Sequence, residues 1–252
     1  MAKTAAIGII GAMPEEIARL RSRLEHSREV TILQRQFYCG QLQGQSVVLV
    51  QSGIGKARSA ITATVLATHF GVRGLIVTGV AGALRSGLKA GDVAIACEGR
   101  EHDFGTAKPD GFELGLAFLP GQEYRPIAAI SDYYDLALEL ARKETAFELV
   151  AGKTQTPQVF AGVVATGDVF VADPQLRDRI YQLTRADVVE MEGTAVLRVA
   201  QAAEIPCVLV RTVSDGGSSE EFLDFFAAVA SNSAAITEAI LTALSGTARL
   251  DR

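Results

Sequence analysis

The sequence predicts an α/β protein in which a mixed, mostly parallel β-sheet is flanked by helices. Short apolar runs typical of buried strands alternate almost throughout with longer segments of helical periodicity. No internal repeat, linker or change of composition divides the 252 residues, and nearly half of them are apolar, which is enough for a large core. We therefore expect one domain over residues 1–252, with a frayed tail at 245–252.

Elements in the first half of the chain follow from apolar runs and turn residues. The run at 5–12 predicts a strand, and Pro14 followed by two glutamates suits the first turn of a helix. Residues 36–39 and 46–50 predict a strand pair, and the Ser52–Gly55 turn precedes a helix rich in Ala and Thr. The remaining predicted elements are that helix at 56–70 and strands at 74–78 and 92–97.

The second half contains one segment without clear periodicity. Residues 101–124 are rich in Gly, Pro and Asp, so we expect a long loop that is a lid, a binding loop or disordered. Beyond it, helices and strands alternate again. The predicted elements are helices at 126–145, 173–183, 191–204 and 220–244, and strands at 159–165, 187–190 and 207–213.

Two successive apolar runs near the C-terminus end in ionisable residues. Glu192 follows the run at 187–190, and Asp215 follows the run that contains Arg211. Ligands of open α/β sheets bind at the carboxyl ends of strands, so these groups are expected to converge. The pattern favours a catalytic role for Glu192 and Asp215 together. Arg211 alone could be a structural ion-pair partner, and Glu190 is expected to complement a helix N-terminus.

Composition excludes several classes of function. The net charge is −5 and basic residues are scattered, so we expect no nucleic-acid partner and no membrane-surface role. No apolar run approaches the ~18 residues of a membrane span, and no signal peptide is recognisable. The three cysteines are far apart and odd in number, which indicates unpaired thiols in a reduced, cytoplasmic setting.

The glycine motifs and histidines do not indicate a cofactor or a metal. The segment Gly8–Met13 lacks the G-x-G-x-x-G pattern of dinucleotide binding. The Gly53–Lys56 turn fails as a phosphate-binding P-loop, although backbone N–H groups before a helix can still hold a polar ligand. The three histidines lack metal-ligand spacing, so we expect neither a metal site nor a cofactor.

Taken together, six motifs resemble those of the 5'-methylthioadenosine/S-adenosylhomocysteine nucleosidases, a family of the nucleoside phosphorylase superfamily. They occur in family order and cover nearly the whole chain, and their conjunction is far more specific than any one of them. The motifs are Ile7–Glu16, Ser52–Lys56, Thr78–Gly82, Thr166–Phe170, Val189–Ala195 and Arg211–Asp215.

The resemblance implies a three-layer α/β/α fold, a homodimer, and cleavage by water of the bond between adenine and a 5'-thio-substituted ribose. Asp215 matches the general acid that protonates adenine N7, and Ser214 would orient it. Glu16 matches the base that activates water, and Arg211 matches a residue beside that water. Glu192 matches the ligand of the ribose hydroxyls. No cofactor is implied.

The resemblance also implies binding residues around each part of the nucleoside. Met191 would pack against the sugar, Phe170 would stack on adenine, and the Val171 backbone would read the adenine edge. Phe112 and Pro120, in the loop at 101–124, would complete the pocket of the neighbouring subunit. The other matching positions are Ala81 and Gly82 at the base, and Ile54 and Phe222 at the 5'-alkylthio group.

Departures from the family pattern leave alternatives open. Val80 stands where the family carries a serine near the water, and the segments after His102 and Asp215 differ in length, so the 5' substituent is not defined. One alternative is a phosphorylase, although the matching arginine position holds Val77 and Arg58 is the one nearby basic candidate. Others are a hydrolase of another purine nucleoside, such as a futalosine-type hydrolase, and a catalytically silent binding protein.

Overall fold

The computed structural model describes residues 6–109, 111–121, 123–129, 132–143, 157–215 and 219–247. Over these ranges, strands and helices alternate as the sequence predicts. The strands are β1 (Ile7–Gly11), β2 (Glu25–Ile32), β3 (Arg35–Leu42), β4 (Gln45–Gln51), β5 (Gly74–Ala83), β6 (Val93–Glu101), β7 (Gly105–Lys108), β8 (Gly111–Leu114), β9 (Ile127–Ala128), β10 (Val159–Thr166), β11 (Val188–Glu190) and β12 (Cys207–Asp215). The helices are α1 (Pro14–Ser22), α2 (Lys56–Thr68), α3 (Asp132–Lys143), α4 (Pro174–Thr184), α5 (Gly193–Ala202) and α6 (Ser219–Thr247).

Ten of the strands form one mixed sheet in the order β11-β10-β6-β12-β5-β1-β4-β3-β2, with β9 beside β6. The pairs β1–β4, β1–β5, β5–β12, β6–β10 and β10–β11 are parallel. The end of β5 also pairs with β11, so β5, β12, β6, β10 and β11 form a closed ring of strands. This closure brings the ends of β11 and β12 to the same place.

Helices cover both faces of the sheet, and alternate strand residues point to each face. In β1, Ile10 packs into a core with α2 and α5, whereas Ile7 and Ile9 pack into a second core with α1, α3 and α6. In β4, Val48 and Val50 belong to the first core. This arrangement confirms the predicted α/β/α class. Within the described ranges, no helix combines the length and apolar character that crossing a membrane requires.

Several predicted boundaries are corrected by the structure. Strand β5 does not end at Thr78 but continues through the glycine-rich segment to Ala83, because that segment pairs with both β12 and β11. The segment 101–124 is not a featureless loop, since it contains the end of β6 and the hairpin β7–β8. Strand β2, which is mostly exposed and lacks an apolar pattern, was not predicted.

The two helices near the ends of the second half also differ from their predicted bounds. Helix α3 begins at Asp132 rather than at 126, because residues 127–128 pair with β6 as β9. Helix α6 continues to Thr247, and Ser245 Oγ donates to the carbonyl of Gln43 and accepts from the Gln45 amide. The expected tail therefore begins later than 245, and residues 248–252 lie outside the described part.

Candidate active site

A cavity of about 170 Å³ opens beside the carboxyl ends of β1, β4, β10, β11 and β12 and the last part of β5. Its wall is largely apolar, with a few buried ionisable groups, as in ligand sites generally. The lining residues are Ala12, Met13, Glu16, Ile54, Val80, Ala81, Gly82, Val169, Phe170, Val171, Val189, Glu190, Met191, Glu192, Ser214 and Asp215.

Glu16 is a buried carboxylate in the first turn of α1. Its Oε2 accepts the N–H groups of Ala12 at 2.6 Å and Met13 at 3.0 Å, which closes the helix N-terminus. Its Oε1 accepts the Val80 N–H from β5 at 3.0 Å. Burial raises the pKa of Glu16, although Arg211 and the three N–H groups oppose the shift. The side chain is therefore held at two points, by its own helix and by the sheet.

Arg211 lies on β12 with its side chain only 1% exposed. Its Nη2 donates to Glu190 Oε2 and lies 3.7 Å from Glu192 Oε2. Burial would lower the pKa of Arg211, but the surrounding carboxylates of Glu190, Glu192 and Glu16 outweigh it and raise the pKa. Among the described residues, Arg211 Nε has no hydrogen-bond partner. The guanidinium is thus permanently charged and is shared by several acids.

Glu190 holds Arg211 and caps α5. Its carboxylate accepts the N–H of Glu192 at 3.0 Å and that of Gly193 at 2.7 Å, in addition to the Arg211 donor and the Thr166 hydroxyl. These contacts agree with the helix-terminus role expected from the sequence. They also make Glu190 the residue that orients Arg211, a role that the sequence interpretation did not include.

Glu192 is buried at the N-terminus of α5. Its Oε1 accepts the Gly55 N–H at 2.9 Å. Burial, followed by the Glu190 carboxylate, raises the pKa of Glu192 to about 8, although Arg211 and the Gly55 N–H oppose the shift. The carboxyl group therefore holds a proton more tightly than an ordinary glutamate.

Asp215 ends β12 and is 5% exposed. The Ser214 hydroxyl donates to Asp215 Oδ2 at 2.7 Å, which fixes the orientation of the carboxyl group. In the pairing of β12 with β5, Arg211 lies opposite Gly79 and Asp215 opposite Gly82. A side chain at Gly79 would lie 2.3 Å from Glu16 Oε1 and 2.5 Å from Arg211 Nη1, so only glycine lets these groups approach β5.

The geometry of a metal site is not found in the described part of the chain, where no group of three or more His, Cys, Asp or Glu residues could hold an ion. No disulfide joins the three cysteines, and Cys39 and Cys207 are buried. The N-terminus of α2, a place where anions commonly bind, already faces protein carboxylates, since Gly55 donates to Glu192 and Lys56 N–H donates to Asp168.

Comparison with known proteins gives the family of this fold and site. The sequence profile of the Phosphorylase superfamily matches residues 6–242. This chain belongs to that superfamily. Aminodeoxyfutalosine nucleosidase of Campylobacter jejuni is 34% identical to this chain, and the match covers 87% of this chain and 89% of the relative. The 5'-methylthioadenosine/S-adenosylhomocysteine nucleosidase of Tolumonas auensis is 33% identical, and the match covers 94% of this chain and 99% of the relative.

Solved structures of the superfamily share the whole architecture. The S-adenosylhomocysteine nucleosidase of Streptococcus pyogenes, crystallised with 5-methylthiotubericidin, has a TM-score of 0.81 and 32% identity, and the match covers 97% of this chain and 98% of that one. The resemblance predicted from the six sequence motifs is therefore confirmed, and so is the predicted superfamily fold.

Most of the residues that the superfamily motifs singled out line this cavity. They are Glu16, Glu192 and Asp215, together with Ile54, Ala81, Gly82, Phe170, Val171, Met191 and Ser214. Arg211 does not line the cavity itself but contacts two acids of its wall, Glu190 and Glu192. Phe112 and Pro120 do not line it within this chain: Phe112 lies on β8 with its ring against Gly105, and Pro120 is exposed in the turn after β8. Phe222 lies on α6, and its side chain is outside the described part of the structure.

Sequence reasoning did not assign a role to several residues of the cavity. Ala12, Met13, Val169 and Val189 lie inside the recognised motifs, but no individual role was predicted for them. Their position within these motifs is the signal that could have identified them. Gly79 lies within a motif, but its requirement for glycine depends on the approach of Glu16 and Arg211 from two other elements. The pattern of the sequence contains no such information.

Proposed function

We propose that this protein is an N-ribosyl hydrolase that releases adenine from 5'-thio-substituted adenine nucleosides, namely methylthioadenosine and S-adenosylhomocysteine. The observation that carries the proposal is the placement of two buried carboxyl groups, Glu16 and Asp215, in one cavity. Glu16 contacts Val80, and Asp215 lies beside Gly82. Two residues of strand separate these positions by roughly 7 Å, which suits a sugar between a base and an acid.

Asp215 is the general acid in this proposal. Adenine leaves poorly as an anion, so a proton must reach the ring as the glycosidic bond breaks. The Ser214 hydroxyl bond leaves the carboxyl group in a fixed orientation, with Oδ1 the oxygen nearer to Gly82. Phe170 and Val171 line the same cavity and would hold the base, by stacking and by backbone contacts respectively.

Glu16 is the base that positions and deprotonates water. A carboxylate offers about four acceptor sites, and the N–H groups of Ala12, Met13 and Val80 take three of them. The remaining site would accept a water proton. The raised pKa of Glu16 increases its basicity toward that proton at neutral pH. Arg211, buried nearby, would hold the water oxygen.

Glu192 is the proposed ligand of the ribose hydroxyls. The ribose becomes positively charged in the transition state, and the cavity wall offers Glu16, Glu190 and Glu192 against the single charge of Arg211. Fixed carboxylates in a buried site stabilise a developing cation without reorganisation. Burial, followed by the Glu190 carboxylate, raises the pKa of Glu192 to about 8, so the ionised form that would stabilise the cation becomes more populated as the pH rises toward that value.

Water is favoured over phosphate as the attacking group. Phosphate binding requires cationic or N–H donors, but the Gly55 and Lys56 N–H groups at the start of α2 already donate to Glu192 and Asp168. Val77 is buried in the sheet, and Arg58 on α2 donates to the carbonyl of Ile54. A phosphate beside Glu16 would also be repelled by its carboxylate.

A second candidate substrate is aminodeoxyfutalosine, because the 34% identical Campylobacter jejuni relative is an aminodeoxyfutalosine nucleosidase. Both substrates would carry adenine, so the acid and base described above apply unchanged. They would differ at the 5' position, next to the apolar residues Met13, Ile54 and Val80.

We propose further that the chain forms a cytoplasmic homodimer in which Phe112 and Pro120 complete the partner's cavity. Two observations support the dimer: the turn at 116–121 exposes Phe118 by 68%, and Phe170 at the cavity is 50% exposed. The three cysteines form no disulfide, which supports a reducing compartment.

A panel of purified nucleosides tests the substrate. Methylthioadenosine, S-adenosylhomocysteine, aminodeoxyfutalosine and inosine are incubated with the protein, and released base is separated by chromatography. We expect adenine from the thio-nucleosides and the highest kcat/KM with one of them. A higher kcat/KM with aminodeoxyfutalosine would favour the second candidate, and binding without base release would contradict hydrolysis altogether.

A further inference from the structure

A ring of hydrogen bonds joins three loops beside the cavity. These loops are the turn before α2, the turn after β6 and the segment after β10. The Lys56 N–H donates to Asp168 Oδ1 at 2.7 Å, and the Asp168 N–H donates to Asp103 Oδ2 at 2.8 Å. The Lys56 ammonium closes the ring on Asp103 Oδ1 at 2.6 Å. Every link has a carboxylate as acceptor, which makes it stronger than a neutral hydrogen bond.

The ring lies one residue away from two walls of the cavity. Gly55, directly before Lys56, donates its N–H to Glu192 Oε1 at 2.9 Å. On the other side, cavity residues 169–171 follow Asp168 directly. Gly55 has a φ of 104°, and a Cβ added to it would lie 3.0 Å from Asp168 Oδ1. The turn is therefore packed against Asp168, and a shift of the ring would move both the Gly55 donor and the cavity wall.

The charges of the ring favour its closed form. Burial would raise the pKa of Asp103, but the hydrogen bonds from Lys56 and from the Asp168 N–H outweigh it and lower the pKa. Burial would lower the pKa of Lys56, but Asp103 and Glu101 outweigh it and raise the pKa. The side chains of Lys56 and Asp103 are 20% and 23% exposed, so solvent screens this pair less than a fully exposed one.

We propose that Asp103 is a positioning residue for Glu192. By keeping the Lys56–Asp168 ring closed, Asp103 aims the Gly55 N–H at the carboxylate that binds the ribose hydroxyls. The inference rests on the proposed function, because Glu192 has that task only in a nucleosidase. Asp103 acts through Gly55 and does not line the cavity itself.

The titration of Glu192 is the readout that a purely structural role would not change. Four groups face this carboxylate: Glu190, Arg211, Glu16 and the Gly55 N–H. Because the Gly55 bond lowers the pKa of Glu192, its loss raises the pKa above the present value of about 8. If ionised Glu192 binds ribose, the acidic limb of the kcat/KM profile then moves to higher pH.

The test compares Asp103→Asn with a matched variant, Glu101→Gln. Asparagine keeps the shape of Asp103 but replaces one of its two acceptor oxygens by an NH₂ group, so one link of the ring is lost. Glu101 also contacts the Lys56 ammonium, at 3.6 Å, but it binds Arg198 rather than the Asp168 loop. Lys56→Met opens the ring from the other side, and serves if Asp103→Asn does not fold.

We expect Asp103→Asn to lower kcat/KM for methylthioadenosine on the order of 10- to 100-fold, as small displacements of binding groups do. Its acidic limb should move to higher pH, whereas Glu101→Gln should retain both the rate and the profile of the unmodified protein. Asp103→Glu, which restores both acceptor oxygens, should recover part of the rate.

Two results would overturn the inference: an unchanged kcat/KM in Asp103→Asn, or a lower kcat/KM with an unmoved limb. Carboxylate NMR of ¹³C-labelled glutamate, assigned with Glu192→Gln, follows the same titration without turnover. An inactive unmodified protein would therefore contradict the proposed function, while the NMR titration would still decide whether Asp103 positions the Gly55 donor.

Discussion

Glu16 combines a structural and a chemical task in one side chain. Its Oε2 accepts two N–H groups at the start of α1. The first N–H groups of any helix need acceptors of this kind, so this contact alone is structural. Its Oε1 crosses to the Val80 N–H, and this bond places the carboxylate in the cavity. A residue that merely capped the helix would not need the second contact or full burial.

Glu16→Gln is expected to slow hydrolysis while an adenine nucleoside still binds. The amide has one acceptor oxygen for three N–H donors, so a loss of stability on the order of 1 kcal/mol accompanies the loss of the base. Calorimetry and turnover measured on the same preparation separate these effects. Loss of binding in a folded variant would instead make Glu16 a ligand of the substrate.

Asp215→Asn is expected to reduce turnover on the order of 10²–10⁴-fold with little change in fold, because the amide cannot deliver a proton to adenine. The Ser214 hydroxyl can still donate to the amide oxygen, so the side chain should keep its place. Stopped assays of adenine release, with thermal unfolding as the control for folding, measure both quantities. A near-normal rate would remove Asp215 from the mechanism.

At the scale of elements, the end of β5 organises the site. This strand continues past Thr78 to Ala83 and contacts β12 on one side and β11 on the other. Its backbone supplies the Val80 N–H to Glu16, and its glycines allow ionisable groups from α1 and β12 to come close. The catalytic groups of α1 and β12 are thus positioned by one strand.

Gly79→Ala is expected to lower turnover on the order of 100-fold, because the methyl group would displace Glu16 and Arg211. Gly8→Ala is the matched control: Gly8 lies on the adjacent strand β1, and an added Cβ would meet Leu75 Cδ2 at 2.7 Å, away from the cavity. Both variants should lose stability. Equal losses of turnover in the two would show that the effect is general strain.

Elements with a strong apolar pattern were predicted from the sequence, and those formed by pairing were not. Strands β1, β4 and β12 are buried runs, whereas β2 is exposed and exists because it pairs with β3. The predicted strand at 74–78 stopped short of the glycine-rich end of β5, because that end is held in the sheet by pairing with β12 and β11. The ends of apolar runs identified Glu192 and Asp215, but the role of Glu16 was recognised through family motifs. Its contact with the Val80 N–H, which ties it to the sheet, joins residues that are distant in sequence.

At the scale of the whole molecule, closure of the sheet sets what the cavity can hold. The β5–β11 pairing brings Glu190 and Glu192 against Arg211, and the result is a buried site with more acids than bases. Such a site suits a cationic transition state and disfavours an anionic attacking group. Attack by water rather than phosphate is therefore the central claim about this protein.

The identity of the sugar product formed from methylthioadenosine tests that claim most directly. The purified protein is assayed without phosphate and with increasing phosphate, and both products are resolved by chromatography. We predict that adenine appears at a rate independent of phosphate, with free methylthioribose as the co-product throughout. Adenine release that requires phosphate, with methylthioribose 1-phosphate as the co-product, would contradict the account and make the protein a phosphorylase.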